Sequence, residues 1–339
     1  MPGVGIVGCG VVGRKRADAL GPARLVACAD TLRERADALA AGRSGVAVDR
    51  DWESLVVRPD VDIVIVATTN DALASITRAA VEAGTHVLVE KPAARSAAEL
   101  EPVASAAART RSLVRVGFNH RYHPALLKAG ELVAAGAIGP LMFVRGRYGH
   151  GGRPGYEREW RADPVRSGGG ELLDQGVHLI DLARRFLGDF SDVQGFAATF
   201  YWPMPVEDNA FLLLRTDRQQ AAMLHVSWTE WKNLFSFELF GRTGKIQIDG
   251  LGGSYGTERA TLYEMGPEMG PPATTGWEFP GPDRSWAAEF AEFLDDIRLG
   301  RPPAAGLPDA LAALRVVEAV YRSPALRASA VGAAASPAQ

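Results

Sequence analysis

A glycine-rich turn near the start of the chain constrains the fold more than any other feature. Gly8, Gly10 and Gly13 lie between Val4–Val7, an apolar run typical of a buried strand, and Val11–Leu20, whose apolar residues recur at helical spacing. In such a strand–turn–helix unit, the first glycine permits the tight turn and the second lets backbone N–H groups approach a pyrophosphate. The third lets the helix pack closely on the strand. The turn therefore predicts a dinucleotide site.

The next strand supplies a carboxylate at the position that such a site needs. Leu25–Ala29 has the composition of a second strand, and Asp30 ends it about 20 residues beyond the glycines, where it can accept hydrogen bonds from the adenosine ribose. A carboxylate there repels the extra phosphate of NADP, so we expect NAD, with NADP less favoured. Arg33 and Arg35 are able to turn toward a phosphate, but a solvated helix face is the preferred interpretation.

Three further apolar runs continue the alternation of strands and helices. They are Val61–Ala67, His86–Val89 and Val114–Phe118, and the segments between them have helical periodicity. This order predicts a parallel sheet with helices on both faces. Ligands bind outside the carboxyl ends of such strands. Polar or conformationally special residues follow these ends and should line one crevice: Thr68, Thr69, Asn70, Glu90, Lys91, Pro92, Asn119 and His120.

The rest of the chain favours a second, α+β domain with an open and mostly antiparallel sheet. Six β-rich runs are separated by glycine turns: Leu141–Tyr148, Val193–Tyr201, Ala210–Leu214, Ala221–Trp228, Phe235–Phe240 and Lys245–Ile248. Two late helices, Ser285–Leu299 and Pro308–Tyr321, should pack back toward the first domain. We predict an NAD-binding Rossmann domain over 1–120, a substrate-binding and oligomerisation domain over 121–325, and a disordered tail over 326–339.

The second domain holds a pair of titratable residues. Asp174 and His178 are four residues apart, so on a helix over Asp174–Phe186 they share one face, with apolar residues on the remainder. Histidine titrates nearest to neutral pH and suits removal of a hydroxyl proton as hydride leaves the carbon. A nearby Lys91 cation favours developing alkoxide charge. The alternative is a structural Asp–His pair without a catalytic role.

Several motifs together resemble the Gfo/Idh/MocA family, named after glucose-fructose oxidoreductase and inositol dehydrogenase. The likeness runs from about Gly3 to about Ser323 and is carried by the following segments: Gly8-Cys9-Gly10-Val11-Val12-Gly13, Ala29-Asp30, Thr68-Thr69-Asn70, Glu90-Lys91-Pro92, Gly117-Phe118-Asn119-His120-Arg121-Tyr122, and Gly168-Gly169-Gly170 leading to Asp174-Gln175-Gly176-Val177-His178. Members of the family are mostly NAD(P)-dependent dehydrogenases of sugars, cyclitols and sugar derivatives. The resemblance implies the same chemistry here.

Carried over by position, the resemblance assigns roles to individual residues. It implies that Lys91 hydrogen-bonds the reacting hydroxyl, that His178 is the general acid/base, and that Asp174 is its partner or a substrate ligand. It places Glu90 near the nicotinamide ribose and implies a cis Lys91–Pro92 peptide. Family members often have proline in place of Thr69 and a histidine a few residues later, which this chain lacks. The implied cofactor-binding set is Gly8, Gly10, Val11, Val12, Gly13, Asp30, Thr68, Thr69, Asn70, Glu90, Lys91, Pro92 and Asn119.

The substrate itself is less constrained. We expect substrate contacts from Lys91, His120, Arg121, Tyr122, Tyr148, Trp160, Arg161, Asp174 and His178. Arginines crowd the stretch before the Asp–His segment, at 145, 147, 153, 158, 161 and 166. Guanidinium groups suit phosphate or carboxylate, which favours a nucleotide-linked or acidic sugar. A solvated or interface loop explains exposed arginines equally well.

Composition excludes several other classes of protein. A net charge of −3 provides no broad basic surface for nucleic acid, and no apolar run approaches the ~20 residues of a membrane span. The first strand begins almost at Met1, so we expect no signal peptide and a cytoplasmic protein. Cys9 and Cys28 lack a metal or redox spacing and are interpreted as reduced packing residues. His120 and His123 have a ligand-like interval without supporting residues, so we predict no metal.

Three functional hypotheses follow from these patterns. The first is a dehydrogenase or ketoreductase acting on a secondary alcohol of a sugar or cyclitol. The second is a redox-neutral enzyme that uses NAD transiently, in epimerisation or glycoside cleavage. The third is a non-catalytic NAD-sensing protein, which the presence of Lys91, Asp174 and His178 disfavours. We also expect a homodimer or homotetramer, with Trp228, Trp231 and the Phe235–Phe237 segment leaving one sheet face apolar enough for a subunit contact; the alternative is that these aromatic residues pack internally.

Overall fold

Two β-sheets organise the residues that the computed structural model describes, which are 1–268 and 270–323. The first is a six-stranded, wholly parallel sheet in the order β3-β2-β1-β4-β5-β6. Its strands are β1 Gly3–Val7, β2 Arg24–Ala29, β3 Ala47–Val48, β4 Ile63–Val66, β5 His86–Glu90 and β6 Val114–Gly117. The expected parallel sheet is confirmed. The two-residue β3 was not predicted, because so short a pairing leaves no apolar run in the sequence.

Both faces of this sheet are buried. In β4, Ile63 and Ile65 pack into one apolar cluster, whereas Val64 and Val66 pack into another. A strand that is buried on both sides carries a continuous apolar run, which is why this segment is recognisable in the sequence. The helices that connect the strands are α1 Val11–Asp18, α2 Arg33–Ala40, α3 Trp52–Val56, α4 Asn70–Glu82 and α5 Ala97–Arg109.

The second sheet has eight strands in the order β14-β13-β12-β11-β7-β10-β9-β8. Every pairing is antiparallel except that of β10 with β7. The strands are β7 Leu141–Gly149, β8 Asp192–Ala198, β9 Asn209–Arg215, β10 Ala221–Ser227, β11 Leu234–Gly241, β12 Gly244–Asp249, β13 Glu258–Glu264 and β14 Ala273–Phe279. The open, mostly antiparallel sheet is confirmed. β14 was not predicted because it is largely exposed and lacks apolar alternation.

The remaining helices follow the first sheet along the chain. They are α6 Pro124–Ala134, α7 Pro164–Ser167, α8 Val177–Leu187, α9 Ser285–Leu299 and α10 Leu307–Arg322. As predicted, the two late helices pack back on the first part of the chain, α9 against α1 and α10 against α5 and β6. The predicted tail over 326–339 lies outside the described residues. No helix within the described ranges has the length and apolarity to cross a bilayer.

The predicted helix over Asp174–Phe186 is interrupted at its beginning. Residues Leu172–Gly176 form a π-helical turn, and the regular helix α8 follows from Val177. Single π-helical turns of this kind are frequent at functional sites. The four-residue spacing of Asp174 and His178 therefore does not have the geometry of an ordinary α-helix.

One face of the second sheet packs on α8, and the opposite face is open. Trp228, Phe235 and Phe237 are at most 2% exposed and lie on the covered side, so the expectation that they form a subunit contact was wrong. The ring of Phe237, for instance, contacts that of Phe186 in α8. Trp231 is 64% exposed but lies in a loop rather than in the sheet. The open face instead carries Phe143, Leu213 and Met223, which are 38%, 54% and 50% exposed.

Candidate active site

A cavity of about 210 Å³ lies where the carboxyl ends of β4 and β5 meet the segment 160–178 and the loops around 251–255 and 283–286. Predicted site residues account for much of its wall: Val12, Thr68, Asn70, Glu90, Lys91, Asn119, His120, Tyr148, Trp160, Arg161, Asp174 and His178. Folding thus brings the polar residues after the parallel strands to the residues of the distant Asp–His segment. Because these two groups of residues are far apart along the chain, the sequence alone does not show that they lie together.

Lys91, Asp174 and Arg161 form an ion-paired cluster in the wall. Lys91 Nζ donates to Asp174 Oδ1 at 2.7 Å and to the Asp174 carbonyl oxygen at 2.6 Å, and Arg161 Nε donates to Asp174 Oδ2 at 2.9 Å. Burial alone would raise the pKa of Asp174, but the two cations hold that pKa below its usual value. Each carboxylate oxygen of Asp174 therefore accepts a hydrogen bond from one cation, Oδ1 from Lys91 and Oδ2 from Arg161. The Lys91–Pro92 peptide, which directly follows β5, is cis, as expected.

Asp174 is not the hydrogen-bond partner of His178, which corrects that expectation. Among the described residues His178 Nδ1 is buried without a partner, and the ring stacks on His120 with centroids 3.7 Å apart and planes 18° apart. Burial, followed by the charge of Lys91, lowers the pKa of His178 well below its ordinary value, and burial likewise lowers the pKa of His120. Both imidazoles are neutral at neutral pH, so His178 is in the form that accepts a proton.

Arg121 and Tyr122 were expected to touch the substrate but lie outside the cavity wall. Arg121 is buried, pairs with Asp181 and Asp309, and donates to the Ala304 carbonyl oxygen at 2.5 Å. The Tyr122 hydroxyl contacts Arg115 and Glu292. Their proximity in sequence to His120 was misleading, because the short 3₁₀ turn Asn119–Tyr122 points its successive side chains in different directions.

The arginine-rich stretch does not form one anion site. Of its six arginines only Arg161 lines the cavity, and its guanidinium is bound to Asp174. Arg145 pairs with Glu238 at 2.5 Å, and Arg153 pairs with Glu159 at 2.5 Å. Strand alternation places Arg145 and Arg147 on the open sheet face instead. The argument for an acidic or nucleotide-linked substrate therefore loses its basis.

Glu90 joins the cavity to two helices. Arg16 of α1 donates to Glu90 Oε1 at 2.6 Å and to Glu289 of α9 at 2.6 Å, and all three side chains are buried. The Arg16 guanidinium also lies 4.4 Å from the ring of Trp286, which lines the cavity. Burial raises the pKa of Glu289 to about 7. Glu90, which is predicted to approach the nicotinamide ribose, is thus held in place by the guanidinium group of Arg16.

Other predicted cofactor residues have structural contacts as well. Asn70 Nδ2 donates to the Ser167 carbonyl oxygen at 2.8 Å, and Asn119 Nδ2 donates to Ser285 Oγ at 2.8 Å, so each amide ties the cavity edge to the second half of the chain. Thr69 does not line the cavity, and its hydroxyl donates to Asp71 at 2.6 Å. The structure therefore gives no cavity contact for Thr69, the position at which the sequence departs from the family pattern.

The glycine turn fits a dinucleotide. Gly8 has φ +92°, and a side chain at Gly13 would begin 2.0 Å from the Gly8 carbonyl oxygen, so these two glycines are required by the turn and by helix packing. A Cβ at Gly10, in contrast, would meet no atom of the described residues within 4 Å. The helix α1 begins after Gly10, and no side chain caps it. Its first N–H groups are therefore available to an anion in the open space beside Gly10. The Asp30 carboxylate accepts from Cys9 N at 2.6 Å and orders the same turn.

Several cavity residues were missed or undervalued by sequence reasoning. Lys15, Gln175, Ser254, Tyr255, Asp283 and Trp286 all line the wall. The segment 252–256 holds no predicted site residue, yet its Tyr255 ring packs 5.2 Å from that of Tyr148. Trp286 comes nearly 200 residues after the parallel strands, and no local signal connects it to them.

Comparison with known proteins identifies the class. A family model described as "Oxidoreductase family, NAD-binding Rossmann fold" matches residues 3–118, and one described as "GFO/IDH/MocA C-terminal domain" matches residues 126–247. The chain therefore belongs to the Gfo/Idh/MocA family, and its first part is an NAD-binding Rossmann fold.

Individual relatives are dehydrogenases of sugars and cyclitols. Levoglucosan dehydrogenase of Pseudarthrobacter phenanthrenivorans is 35% identical over 170 residues, covering 50% of this chain and 44% of that protein. Inositol 2-dehydrogenase 2 of Saccharopolyspora erythraea is 30% identical over 226 residues, covering 63% of each. The matched regions thus span only 44% and 63% of these relatives' lengths.

A solved structure of levoglucosan dehydrogenase in complex with NADH matches with a TM-score of 0.85. Its sequence is 24% identical, and the match covers 94% of this chain and 96% of that one. The likeness shows a common fold through both sheets.

Proposed function

We propose that the protein is an NAD-dependent oxidoreductase that transfers hydride between nicotinamide and a secondary alcohol or ketone of a sugar or cyclitol. The observation that carries the proposal is the shared cavity: the Lys91 ammonium and the neutral His178 imidazole line one wall at the edge of the NAD-binding sheet. In this proposal, residues 1–120 bind the cofactor and residues 121–325 supply the substrate wall and the subunit contact.

The cofactor would be held by the glycine turn, by Asp30 at the ribose and by Glu90 at the nicotinamide side. When bound there, NAD would supply the hydride acceptor for the carbon that carries the reacting hydroxyl. The Lys91 ammonium stabilises the negative charge that develops on the substrate oxygen. The neutral His178 ring accepts the hydroxyl proton, a role worth about two to four powers of ten in rate. Asp174 and Arg161 orient Lys91 rather than reacting themselves.

The charges of the wall favour a neutral polyol as substrate. The cations nearest to the reacting groups, Lys91 and Arg161, are both bound to Asp174. An anionic substrate would have to replace Asp174 at one of them, which costs a buried ion pair. A neutral sugar or cyclitol needs hydrogen bonds alone, and Trp160 and Tyr148 provide flat apolar surfaces for its ring.

The direct test is cofactor turnover. Purified protein would be assayed by NADH absorbance with NAD or NADP and with levoglucosan, inositols, other neutral sugars and acidic or nucleotide-linked sugars. The proposal expects net NADH formation with a neutral polyol, a preference for NAD, and its loss in Lys91→Ala. Failure to bind either dinucleotide in titration would overturn it. Conversion of a sugar without net NADH would instead identify the redox-neutral hypothesis.

We also propose that the open face of the second sheet pairs with a second copy of the chain. Met223 of β10 lies beside Leu213 of β9, and Phe143 of β7 stacks on Phe240 of β11 with ring centroids 4.3 Å apart. These partly exposed apolar side chains lie on the face of the sheet opposite to α8, where Arg145 stands beside Met223 and pairs with Glu238. A second copy burying the same patch would give a two-fold symmetric contact.

A further inference from the structure

A buried carboxyl group without a hydrogen-bond partner lies beside the cluster of Lys91, Asp174 and Arg161. Glu171 immediately precedes the π-helical turn, is fully buried, and neither of its carboxyl oxygens has a donor within the described part of the chain. Its backbone N–H donates to the Glu207 carbonyl oxygen at 3.0 Å, which fixes the residue in place. The reaction described above makes no use of it.

The neighbouring, partly buried Glu207 shows how a carboxylate is accommodated close to Glu171. It accepts hydrogen bonds from Gly170 N at 3.0 Å, from Leu172 N at 3.1 Å and from the Tyr321 hydroxyl at 2.7 Å. Glu171, one residue along from Gly170, receives none from the residues described. A buried ionised carboxylate without donors or a bound cation is strongly disfavoured, so the two residues differ in the charge they can carry.

The cations near Glu171 are already engaged. The charged groups that act on it are Asp174 and Glu207, which oppose its ionisation, and Lys91 and Arg161, which favour it. Both cations are bound to Asp174 at 2.7 Å and 2.9 Å. The Tyr148, Tyr156 and Tyr255 phenols are further neighbours. Burial, then the charge of Asp174, raises the pKa of Glu171 well above its usual value.

We infer that Glu171 is held as an uncharged carboxylic acid and is a positioning residue whose neutrality preserves the net positive charge of the Lys91–Arg161–Asp174 cluster. Two cations against one carboxylate leave that cluster with one positive charge. An ionised Glu171 would cancel this charge and compete with Asp174 for Lys91. The positive charge favours the alkoxide, so turnover falls as Glu171 ionises at alkaline pH.

Infrared spectroscopy tests the protonation state without any substrate. The C=O stretch of a protonated carboxyl group is distinct from that of a carboxylate, and Glu171→Gln removes only the band of residue 171. We expect the spectrum of the wild type minus that of Glu171→Gln to contain a protonated carboxyl band at neutral pH that disappears as the pH is raised. Glu207→Gln serves as the matched control from a neighbouring, partly buried carboxyl group. A difference spectrum with a carboxylate band alone would overturn the inference.

The effect on turnover rests on the proposed function and has its own readout. Glu171→Gln should keep the kcat/KM of the wild type at neutral pH and extend activity to more alkaline pH, because an amide cannot ionise. Glu171→Leu, also uncharged, guards against a local packing defect in the first variant. An unchanged alkaline limb in both variants would refute the positioning role. If the band is present but no polyol is oxidised, the proposed function fails while the uncharged state of Glu171 stands.

Discussion

His120 and His178 stack face to face in the cavity wall, with ring centroids 3.7 Å apart. Each is at most 5% exposed, and each has one buried ring nitrogen without a partner in the described ranges. Two adjacent imidazoles in this setting cannot both be in the cationic, doubly protonated form, since each cation would repel the other and Lys91. Burial and the charge of Lys91 thus keep the stacked His178 neutral, so that it can act as a base.

The acid limb of the pH–rate profile should report this arrangement. Burial and Lys91 lower the pKa of His178 below 6.5, so its base form persists on acidification below the pH at which a free histidine would be protonated. We expect kcat/KM for polyol oxidation to fall only below pH 6.5, measured at saturating NAD. An acid limb centred above that pH would contradict the neutral stack.

Lys91→Ala and His178→Ala should separate chemistry from cofactor binding. Each removes a group that acts on the substrate oxygen, so we expect turnover to fall at least about tenfold. NAD binding, followed by titration, should stay nearly intact because both variants keep the glycine turn and Asp30, which supply the other predicted cofactor contacts. Lys128→Ala, in the helix α6, is the matched control and should behave like the wild type. Near-normal turnover in both cavity variants would exclude the proposed roles.

Arg161→Gln should have a smaller effect than Lys91→Ala. It removes one of the two cations on Asp174 but leaves the Lys91–Asp174 pair in place. Because Arg161 is about a third exposed, we expect a loss of up to about fivefold in kcat/KM, equivalent to about 1 kcal/mol. Arg166→Gln alters an exposed arginine in the same stretch and should have no effect. Equal losses in Arg161→Gln and Lys91→Ala would show that Asp174 cannot hold Lys91 alone.

Two glycines of the turn should give opposite phenotypes on substitution by alanine. Gly10 has φ −70°, and the position that its methyl group would take is open, so Gly10→Ala should keep the thermal stability of the wild type. Its NAD affinity should fall at least about tenfold, since the methyl group occupies the path of backbone–phosphate hydrogen bonds.

Gly13→Ala is the companion variant. Its Cβ would lie 2.0 Å from the Gly8 carbonyl oxygen, so it should lower the free energy of unfolding by roughly 1–3 kcal/mol. Thermal unfolding and NAD titration of both variants check the contrast. Unchanged NAD affinity in Gly10→Ala would refute the assigned cofactor path.

Charge on the open sheet face should break the proposed subunit contact. Leu213→Glu and Met223→Glu place carboxylates in the apolar patch, so we expect the mass measured by light scattering to fall to that of one chain. Val57→Glu is the control, because Val57 is also exposed, at 69%, but belongs to the other part of the molecule. A wild-type protein that already has the mass of one chain would refute the contact.

The sequence allowed a good prediction of the fold because its signals are local. Glycines with positive φ, apolar strands buried on both faces and late amphipathic helices each leave their mark within a few residues. The strand β14 left none, since its side chains are mostly exposed. The side of the sheet to which the β11 aromatic residues point was also mispredicted. An aromatic residue at every second position shows that one face of the strand is apolar, but it does not show whether a helix of the same chain or a second subunit covers that face.

Many residues of the candidate site could be predicted from the sequence, but the hydrogen bonds between them could not. Lys91, Asp174 and His178 do line one cavity, yet Asp174 binds Lys91 and Arg161 instead of His178. The interruption of the helix by a π turn decides this, and no residue pattern marked it. Arg121 and Tyr122 were assigned by adjacency along the chain, although a 3₁₀ turn separates their directions. Lys91 and Asp174 are 83 residues apart, and their contact depends on tertiary packing that no local sequence pattern reveals.

The position of α9 has a consequence for how the chain can be divided. Phe290 and Phe293 complete the apolar cluster of the parallel sheet, where they join Ile6, Ile63 and Leu88. A fragment ending near residue 120 would expose that cluster to water and leave Arg16 without Glu289. The boundary predicted near residue 120 is thus not a boundary between folding units: the parallel sheet cannot be excised intact without α9, a helix that follows the second sheet along the chain.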